Sequence, residues 1–475
     1  MLIQKTTLKD IGAEKTLRYD VDYIKFHQTH TKDYYTFNDL FSISSDCNID
    51  GNTLSGDFKY CEIGNSDKNG DIEPVCLNFS IRNLEYENYY TKIEKGDIAK
   101  ANLNDILIAK VRPNLKKYIR ITQDKKDVYF TTAFIRLKAK EMPDLLYYSL
   151  RSIFYEDLMA IARQGKGYPT INEKDLVTLR FDSLVIDSLR TNYLAISALI
   201  NDVESKITDK KSTTKSAQKI IDSVFQREFG FDYDKFEELK AHRQYTSSQA
   251  LFSNNPDLRF SAKFHRPAGG FVMKELTRIS DKKIKHFISE PIVLGASVSP
   301  KDYDEAGEYY YISMATIKTW EFDESAAFTV SDTYSADKIA KSVLKNDILL
   351  ARSGEGTIGK VAIITTEDVN GIFADFTMRI RLDSERYNST FTYYYMRSRY
   401  FQYLIEVYKK GLGNNTNIFP IVIQEFPIPD ISLPEQQRIV DEIQAEINQQ
   451  KEIQKEIADL RNQIDEIILQ SISAK

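Results

Sequence analysis

The chain of 475 residues is poor in the residue types from which catalytic centres and covalent frameworks are built, with 3 Cys, 5 His and 1 Trp. The odd set Cys47, Cys61 and Cys76, without metal-ligand spacing, argues against a disulfide framework and a zinc site, leaving buried or incidental thiols. His27, His30, His242, His265 and His286 also lack metal spacing, and there is no H-E-x-x-H, G-x-S-x-G or Asn-Pro-Pro-aromatic motif. No apolar run approaches the roughly 18 residues a membrane span needs. The start, Met1-Leu2-Ile3-Gln4-Lys5, lacks the apolar stretch of a secretory signal, so a cytosolic location is the expectation. Positive charge is not in excess either. The net charge of −5 counts only weakly against a nucleic-acid partner, because an acidic chain can still carry a basic groove. Tyrosine is abundant, at 29 residues, and is read first as core material of a mixed sheet.

The dominant positive feature is a duplication. Asn104-Asp105-Ile106-Leu107-Ile108-Ala109-Lys110 returns 242 residues later as Asn346-Asp347-Ile348-Leu349-Leu350-Ala351-Arg352. Leu17-Arg18-Tyr19 answers to Leu258-Arg259-Phe260, Tyr23 to Phe264, and Ile135-Arg136-Leu137 to Ile380-Arg381-Leu382. Tyr147-Tyr148-Ser149-Leu150-Arg151-Ser152 pairs with Tyr393-Tyr394-Tyr395-Met396-Arg397-Ser398, and Gly165-Lys166-Gly167 with Gly411-Leu412-Gly413. A repeat of this length implies two domains, each large enough to bury its own core.

Each copy opens with β-branched and aromatic stretches broken by Gly, Asn and Asp. Strands are expected at Asp105–Val111, Lys117–Thr122 and Val128–Leu137, and again at Asp347–Ala351, Lys360–Thr365 and Phe373–Leu382. Helical spacing over Leu145–Ile161 and Thr392–Tyr408 predicts a helix closing each strand-rich part. Long polar segments with narrow apolar seams follow. The first seam is Leu189, Tyr193, Ile196, Ile200, Val203 and Ile207, then a thinner stretch, then Ile221, Val224 and Phe225. The second runs Ile439, Ile443, Ile447, Ile453, Ile457, Leu460, Ile464, Ile467 and Ser471. Such seams predict a coiled coil, each helix about 40 residues and so about 60 Å long. Leu189, Tyr193, Ile200, Val203, Ile207, Ile443, Ile447, Ile457, Leu460 and Ile464 are the expected packing positions.

Gly354-Glu355-Gly356-Thr357-Ile358-Gly359-Lys360 fits G-x-G-x-x-G and nearly fits a P-loop, but its context disfavours every nucleotide-binding reading. A P-loop needs Ser or Thr after the lysine and a helix beyond it, whereas Val361 follows and Val361–Ile364 reads as a strand. The same strand argues against a dinucleotide fingerprint, and no H-R-D motif supports a kinase loop. A glycine turn in a hairpin is the expectation, and nothing in the chain reads as catalytic.

Taken together, these residues resemble the specificity subunit of type I restriction-modification systems. Leu433-Pro434-Glu435-Gln436-Gln437-Arg438-Ile439-Val440 is similar to the opening of the family's conserved helix, and Asn104 to Asn114 and Asp347 to Lys360 to the strand and turn inside its recognition domains. Gly167-Tyr168-Pro169-Thr170-Ile171 is similar to the loop that closes one. The resemblance implies an α+β chain with two α/β target recognition domains in tandem, separated by two long antiparallel coiled-coil helices about a pseudo-two-fold. The expected boundaries are recognition domain 1 at 1–183, a central helix at 184–229, a connector at 230–255, recognition domain 2 at 256–430 and a C-terminal helix at 431–475. It further implies a non-catalytic subunit that reads a bipartite, asymmetric site on double-stranded DNA. That subunit recruits methyltransferase subunits and a restriction motor-nuclease subunit, which would carry S-adenosylmethionine, magnesium and ATP; this chain would bind no cofactor. By residue type, Lys110, Arg112, Lys116, Lys117, Arg120, Arg352 and Lys360 beside the central hairpins would neutralise phosphates or read guanine edges. Arg163, Lys166 and Tyr168 flank the first glycine loop, and Lys409, Lys410, Asn414, Asn415 and Asn417 the second, with Asn suited to adenine. A stand-alone DNA-binding regulator and a coiled-coil protein-interaction scaffold are the competing readings.

Overall fold

The computed structural model describes residues 20–30, 33–44, 49–82, 86–164, 167–241, 264–354, 356–411 and 415–473. The chain divides into two compact units, residues 1–213 with 455–475, and residues 214–454.

The first unit carries α1 (Val21–Thr29), β1 (Tyr34–Thr36), β2 (Phe41–Ile43), β3 (Asp57–Cys61), β4 (Val75–Asn78), α2 (Glu87–Glu94), β5 (Ala99–Lys100) and β6 (Asp105–Ala109). It continues with β7 (Tyr118–Arg120), β8 (Val128–Phe130), β9 (Phe134–Ala139), α3 (Pro143–Arg151), α4 (Tyr155–Ile161), β10 (Arg163–Gln164), β11 (Pro169–Thr170) and β12 (Arg180–Asp182). Two four-stranded sheets, ordered β2-β9-β6-β7 and β4-β3-β8-β5, form its body. Helices α5 (Ser183–Thr191) and α6 (Tyr193–Thr213) follow.

The second unit holds α7 (Ala217–Phe229), α8 (Tyr233–Ala241), α9 (Pro267–Ile279), β13 (Val293–Leu294), β14 (Tyr309–Ile312), β15 (Phe328–Val330), β16 (Ile348–Ala351) and β17 (Val361–Ile363). Strands β18 (Gly371–Phe373) and β19 (Thr377–Ile380) complete its sheets, and α10 (Ser389–Arg397), α11 (Arg399–Tyr408) and α12 (Leu433–Ser473) close the chain. Its sheets, β13-β19-β16-β17 and β15-β14-β18, repeat the order of the first unit's. The parallel pairing of β3 with β8 is matched by that of β14 with β18.

The repeated Asn-Asp dipeptide has a backbone cause. Asn104 and Asn346 sit at φ 69° and 71°, a left-handed conformation that Asn tolerates better than most residues. Each donates its N–H to the partner strand, Asn104 to the Ile121 carbonyl at 2.8 Å and Asn346 to Ile364 at 2.7 Å. The following carboxylate then accepts a backbone N–H three residues upstream, Asp105 from Asn102 and Asp347 from Leu344, both at 2.7 Å. A turn and its cap are thus written into one dipeptide that starts the central strand.

The tyrosines are core material. Tyr60, Tyr118, Tyr387, Tyr395 and Tyr400 are fully buried, and each hydroxyl reaches a main-chain carbonyl, those of Asp97, Pro113, Pro429, Pro427 and Asp232 respectively. Burial of a phenol without such a partner would be costly.

Several expected elements are interrupted. The strand expected over Val128–Leu137 is two strands, because Asp97 Oδ1 gathers the Thr131 hydroxyl, the Thr132 N–H and the Thr132 hydroxyl, each at 2.7 Å, and draws the chain out of line. The strand expected over Phe373–Leu382 breaks likewise, with the Thr377 hydroxyl donating to the Ala374 carbonyl. The closing helices divide at Ser152 and Ser398; Ser398 is the N-cap of α11 and accepts from the Phe401 N–H. The central segment expected as one helix is three, α5, α6 and α7, with Ser216 capping α7 by accepting from the Lys219 N–H at 3.2 Å. The start of the charged connector is instead built into the second unit's core: Phe231, Tyr233 and Phe236 are buried, and Asp222 ties Tyr233 to Arg399. Cys61 is buried, Cys76 is exposed and Cys47 lies outside the described residues.

Within the first unit, α5 and α6 run antiparallel to the last part of α12: Ser188 bonds the Ser471 carbonyl at 2.9 Å and Lys210 pairs with Glu456. Within the second, α7 runs antiparallel to its first part, with Lys215 N–H on Gln450 at 2.8 Å and Arg227 on Glu442 at 2.6 Å. Leu189, Ile200, Val203, Ile207, Ile443, Ile457 and Ile464 are buried, while Tyr193, Ile447 and Leu460 are half-buried.

Candidate nucleic-acid interface

One end of each unit is formed by the loop leaving the central strand and the return strand after the glycine loop. The two ends share a hydrogen-bond frame. Lys110 N–H donates to Ala133 and Arg352 N–H to Phe376, both at 2.9 Å; Ile171 N–H donates to Lys110 and Ile418 N–H to Arg352, again at 2.9 Å. Arg112 N–H reaches the Pro169 carbonyl at 2.9 Å, and Gly354 N–H the Thr416 carbonyl at 3.3 Å. Bridges join Val111 to Thr170 and Ser353 to Asn417.

This frame sets the equivalences between the copies. Lys110 matches Arg352, Arg112 matches Gly354, Tyr168 matches Asn415, and the pairings Arg163–Thr170 and Lys410–Asn417 match Arg163 to Lys410. It also corrects one sequence pairing. Leu107 faces Arg136 and Leu349 faces Arg379, and these two arginines donate to the Lys100 and Ser342 carbonyls. Arg136 therefore corresponds to Arg379, two residues before the expected Arg381.

The proposed side chains fall into distinct groups. Lys110 pairs with Glu173 at 3.0 Å, and Arg163 with Asp175 at 2.8 Å, whose hydrogen bond holds the Arg163 guanidinium above its ordinary range. Arg120 is turned inward, bidentate on Glu204 of α6 at 2.8 Å; burial opposes its charge, but the Glu204 carboxylate prevails and raises its pKa. Tyr148 donates to the same carboxylate at 2.5 Å, so this group docks the sheet on the helix rather than facing a ligand. Lys116 donates to the Arg151 carbonyl at 3.0 Å with its ammonium 4.0 Å from the Tyr155 ring centroid, and Lys117 donates to the Ile63 carbonyl at 2.8 Å. Arg112 and Tyr168 are both exposed, the guanidinium 5.2 Å from the ring centroid.

In the second unit Arg352 donates to the Asp375 carbonyl at 2.9 Å and to Asn417 Oδ1 at 3.1 Å. Lys360 lies 3.9 Å from the Trp320 ring centroid, and burial followed by repulsion from Arg397 lowers its pKa. Lys409 pairs with Glu406 at 2.6 Å, whereas Lys410 and Asn415 are exposed. Lys166 and Asn414 lie outside the described residues. Sequence reading missed Tyr155 and Trp320, the rings on which Lys116 and Lys360 rest, and Arg397, whose guanidinium shares the Trp320 ring and repels Lys360. Gly354-to-Lys360 is a hairpin turn between β16 and β17, with Gly354 and Gly359 at φ 82° and 87°.

Among the described residues, no group of three or more His, Cys, Asp or Glu is arranged to hold a metal ion, and no helix is long and apolar enough to cross a membrane. The arrangement offers backbone-presented cations, an exposed aromatic and amides, which suit phosphates and base edges.

No curated protein matches the sequence. Among solved structures, a chain described under "Structural basis underlying complex assembly and conformational transition of the type I R-M system" is 15% identical, with 92% of this chain and 97% of that one covered, at a TM-score of 0.45. The type I restriction-modification S subunit from M. genitalium is 13% identical over 92% of this chain and 95% of its own, at 0.42. The HsdS subunit from Thermoanaerobacter tengcongensis is 14% identical over 92% and 96%, at 0.34. Residues 291–465, from β13 into α12, match the family model described as the type I restriction modification DNA specificity domain. The rest of the chain repeats the strand order and the end-loop frame of the matched part.

Proposed function

We propose that this chain reads a bipartite, asymmetric site on double-stranded DNA, one half through residues 1–183 and the other through residues 256–430. The observation that carries this reading is the shared end-loop frame bearing different side chains: Arg112 and Tyr168 in one copy stand where Gly354 and Asn415 stand in the other. A common frame meets duplex DNA in a common way, and different side chains select different bases. The helices of 184–229 and 431–475 then serve as the spacer that fixes the gap between half-sites and as the element that recruits methyltransferase subunits and a restriction motor-nuclease subunit. S-adenosylmethionine, magnesium and ATP belong to those subunits in this scheme, and the chain works in the cytoplasm.

Salt dependence tests the DNA reading. Phosphate neutralisation gives a log-log slope of about −0.9 per contacted phosphate, so affinity for duplex DNA falls steeply between low and moderate salt. Lys410→Ala, which removes an exposed cation of the second unit, is expected to make the slope shallower by about one contact. A protein-binding scaffold gives no duplex affinity at any salt concentration.

A further inference from the structure

The internal repeat supplies its own control for residues whose backbone is strained. Two non-glycine residues of the first end loop, Arg112 and Lys116, sit in the left-handed region, each at φ 52°. The second copy uses glycine at both places, Gly354 at φ 82° and Gly359 at φ 87°. Glycine is the residue this backbone favours, and any L side chain there is strained. Lys116 has a structural reason to be present, since its ammonium donates to the Arg151 carbonyl and rests on Tyr155.

Arg112 has no such reason. Among the described residues, neither carboxylate nor carbonyl accepts from its guanidinium, which is exposed and set over the exposed Tyr168 ring. Tyr168 in turn occupies the place of Asn415. A strained position held by a solvent-exposed arginine over an exposed ring does nothing for the fold that glycine would not do better.

We propose that Arg112 is a specificity-determining residue that reads a guanine in the half-site of the first recognition domain, donating two hydrogen bonds to O6 and N7 from a guanidinium oriented by Tyr168. This rests on the DNA reading above. The second domain, with Gly354 and Asn415 at these positions, has no equivalent arginine and reads its half-site by other groups. Bidentate readout of this kind discriminates roughly 5- to 150-fold against the wrong base.

The test is selection from a duplex library with randomised positions, using the full-length chain alone and co-expressed with methyltransferase, for wild type, Arg112→Gly and Arg112→Lys. Thermal unfolding of Arg112→Gly at or above the wild-type midpoint verifies that the fold is intact. The wild type is expected to enrich a bipartite motif with a guanine in the first half. Arg112→Gly is expected to lose preference at that one position while the second half is unchanged. Arg112→Lys, which keeps the charge and loses the fork, is expected to weaken the preference for the same letter without shifting it to another position. A wild-type chain that enriches no motif removes the DNA reading and this inference with it. A wild-type motif reproduced unchanged by Arg112→Gly overturns the inference alone, and an Arg112→Gly chain that loses affinity equally for all sequences while keeping every letter reassigns Arg112 to a phosphate and overturns it as well.

Discussion

The two copies of the Asn-Asp turn hold their aspartates differently, and the difference should be measurable. Asp347 is 1% exposed and accepts two hydrogen bonds from Arg381 at 2.7 Å, together with the Leu344 N–H. Asp105 accepts the Asn102 N–H, but its nearest cation, Arg136 Nε, is 3.4 Å away, and burial raises its carboxyl pKa despite that neighbour. Replacement by Asn keeps the oxygen that caps the turn and removes only the charge. For Asp347→Asn the cost is that of breaking a buried bidentate pair, about 3–5 kcal/mol, reduced to about 2–3 kcal/mol because Arg381 is partly exposed and keeps Glu290 at 3.4 Å. For Asp105→Asn, a carboxyl whose ionised form is already disfavoured is exchanged for a neutral amide, and the expected cost is below about 1 kcal/mol. Because the two units need not unfold together, native-state hydrogen exchange resolved by peptide is the suitable assay. Asp347→Asn should speed exchange of β16 and β19 roughly 30- to 150-fold, and Asp105→Asn should speed β6 and β9 by less than about 5-fold. Equal effects, or a larger effect at Asp105, would refute the reasoning.

Further outcomes follow from the same contacts. Glu204→Gln, which weakens the bidentate Arg120 pair and the Tyr148 bond, should lower the stability of the first unit by about 2 kcal/mol in thermal or chemical unfolding. Gly359→Ala should destabilise the second unit by about 2 kcal/mol, because φ is 87° and a Cβ would meet Gln402 Oε1 at 2.8 Å; Gly356→Ala, facing open space, should be silent in the same melt. Burial opposes the charge of Asp71, yet Lys211 and Arg461 prevail and hold its carboxyl below the ordinary 3.8. Its contribution is therefore present above about pH 4 and lost as pH falls through its folded pKa, so Asp71→Asn should lose stability near pH 7 and converge with wild type in acid.

The duplicated strands, the Tyr-rich core and the helical seams were legible because each leaves a periodic or repeated trace. The interruptions were not: Ser152 and Ser398 sit inside unbroken apolar spacing, and only their caps reveal that the helix stops. The match of Arg136 to Arg379 was hidden because Arg381 offers an identical Ile-Arg-Leu context, and strand register decides between them. The end loops were the least readable part. The turn after β16 is one residue longer than that after β6, so simple alignment does not set Lys116 against Gly359, and the glycine-for-cation exchanges emerge only from hydrogen bonds. Residue type alone also placed Arg120 among DNA contacts, since nothing in its neighbours announces Glu204, 84 residues away.

The most direct test of the central claim is to co-express the chain with a type I methyltransferase subunit with which it forms a complex and map methylated adenines across a genome by long-read sequencing. The account predicts a bipartite motif, one half of which changes when residues 19–182 are exchanged for those of another such protein while the other half stays constant. A stable complex that yields no motif, or an exchange that alters both halves, would contradict it.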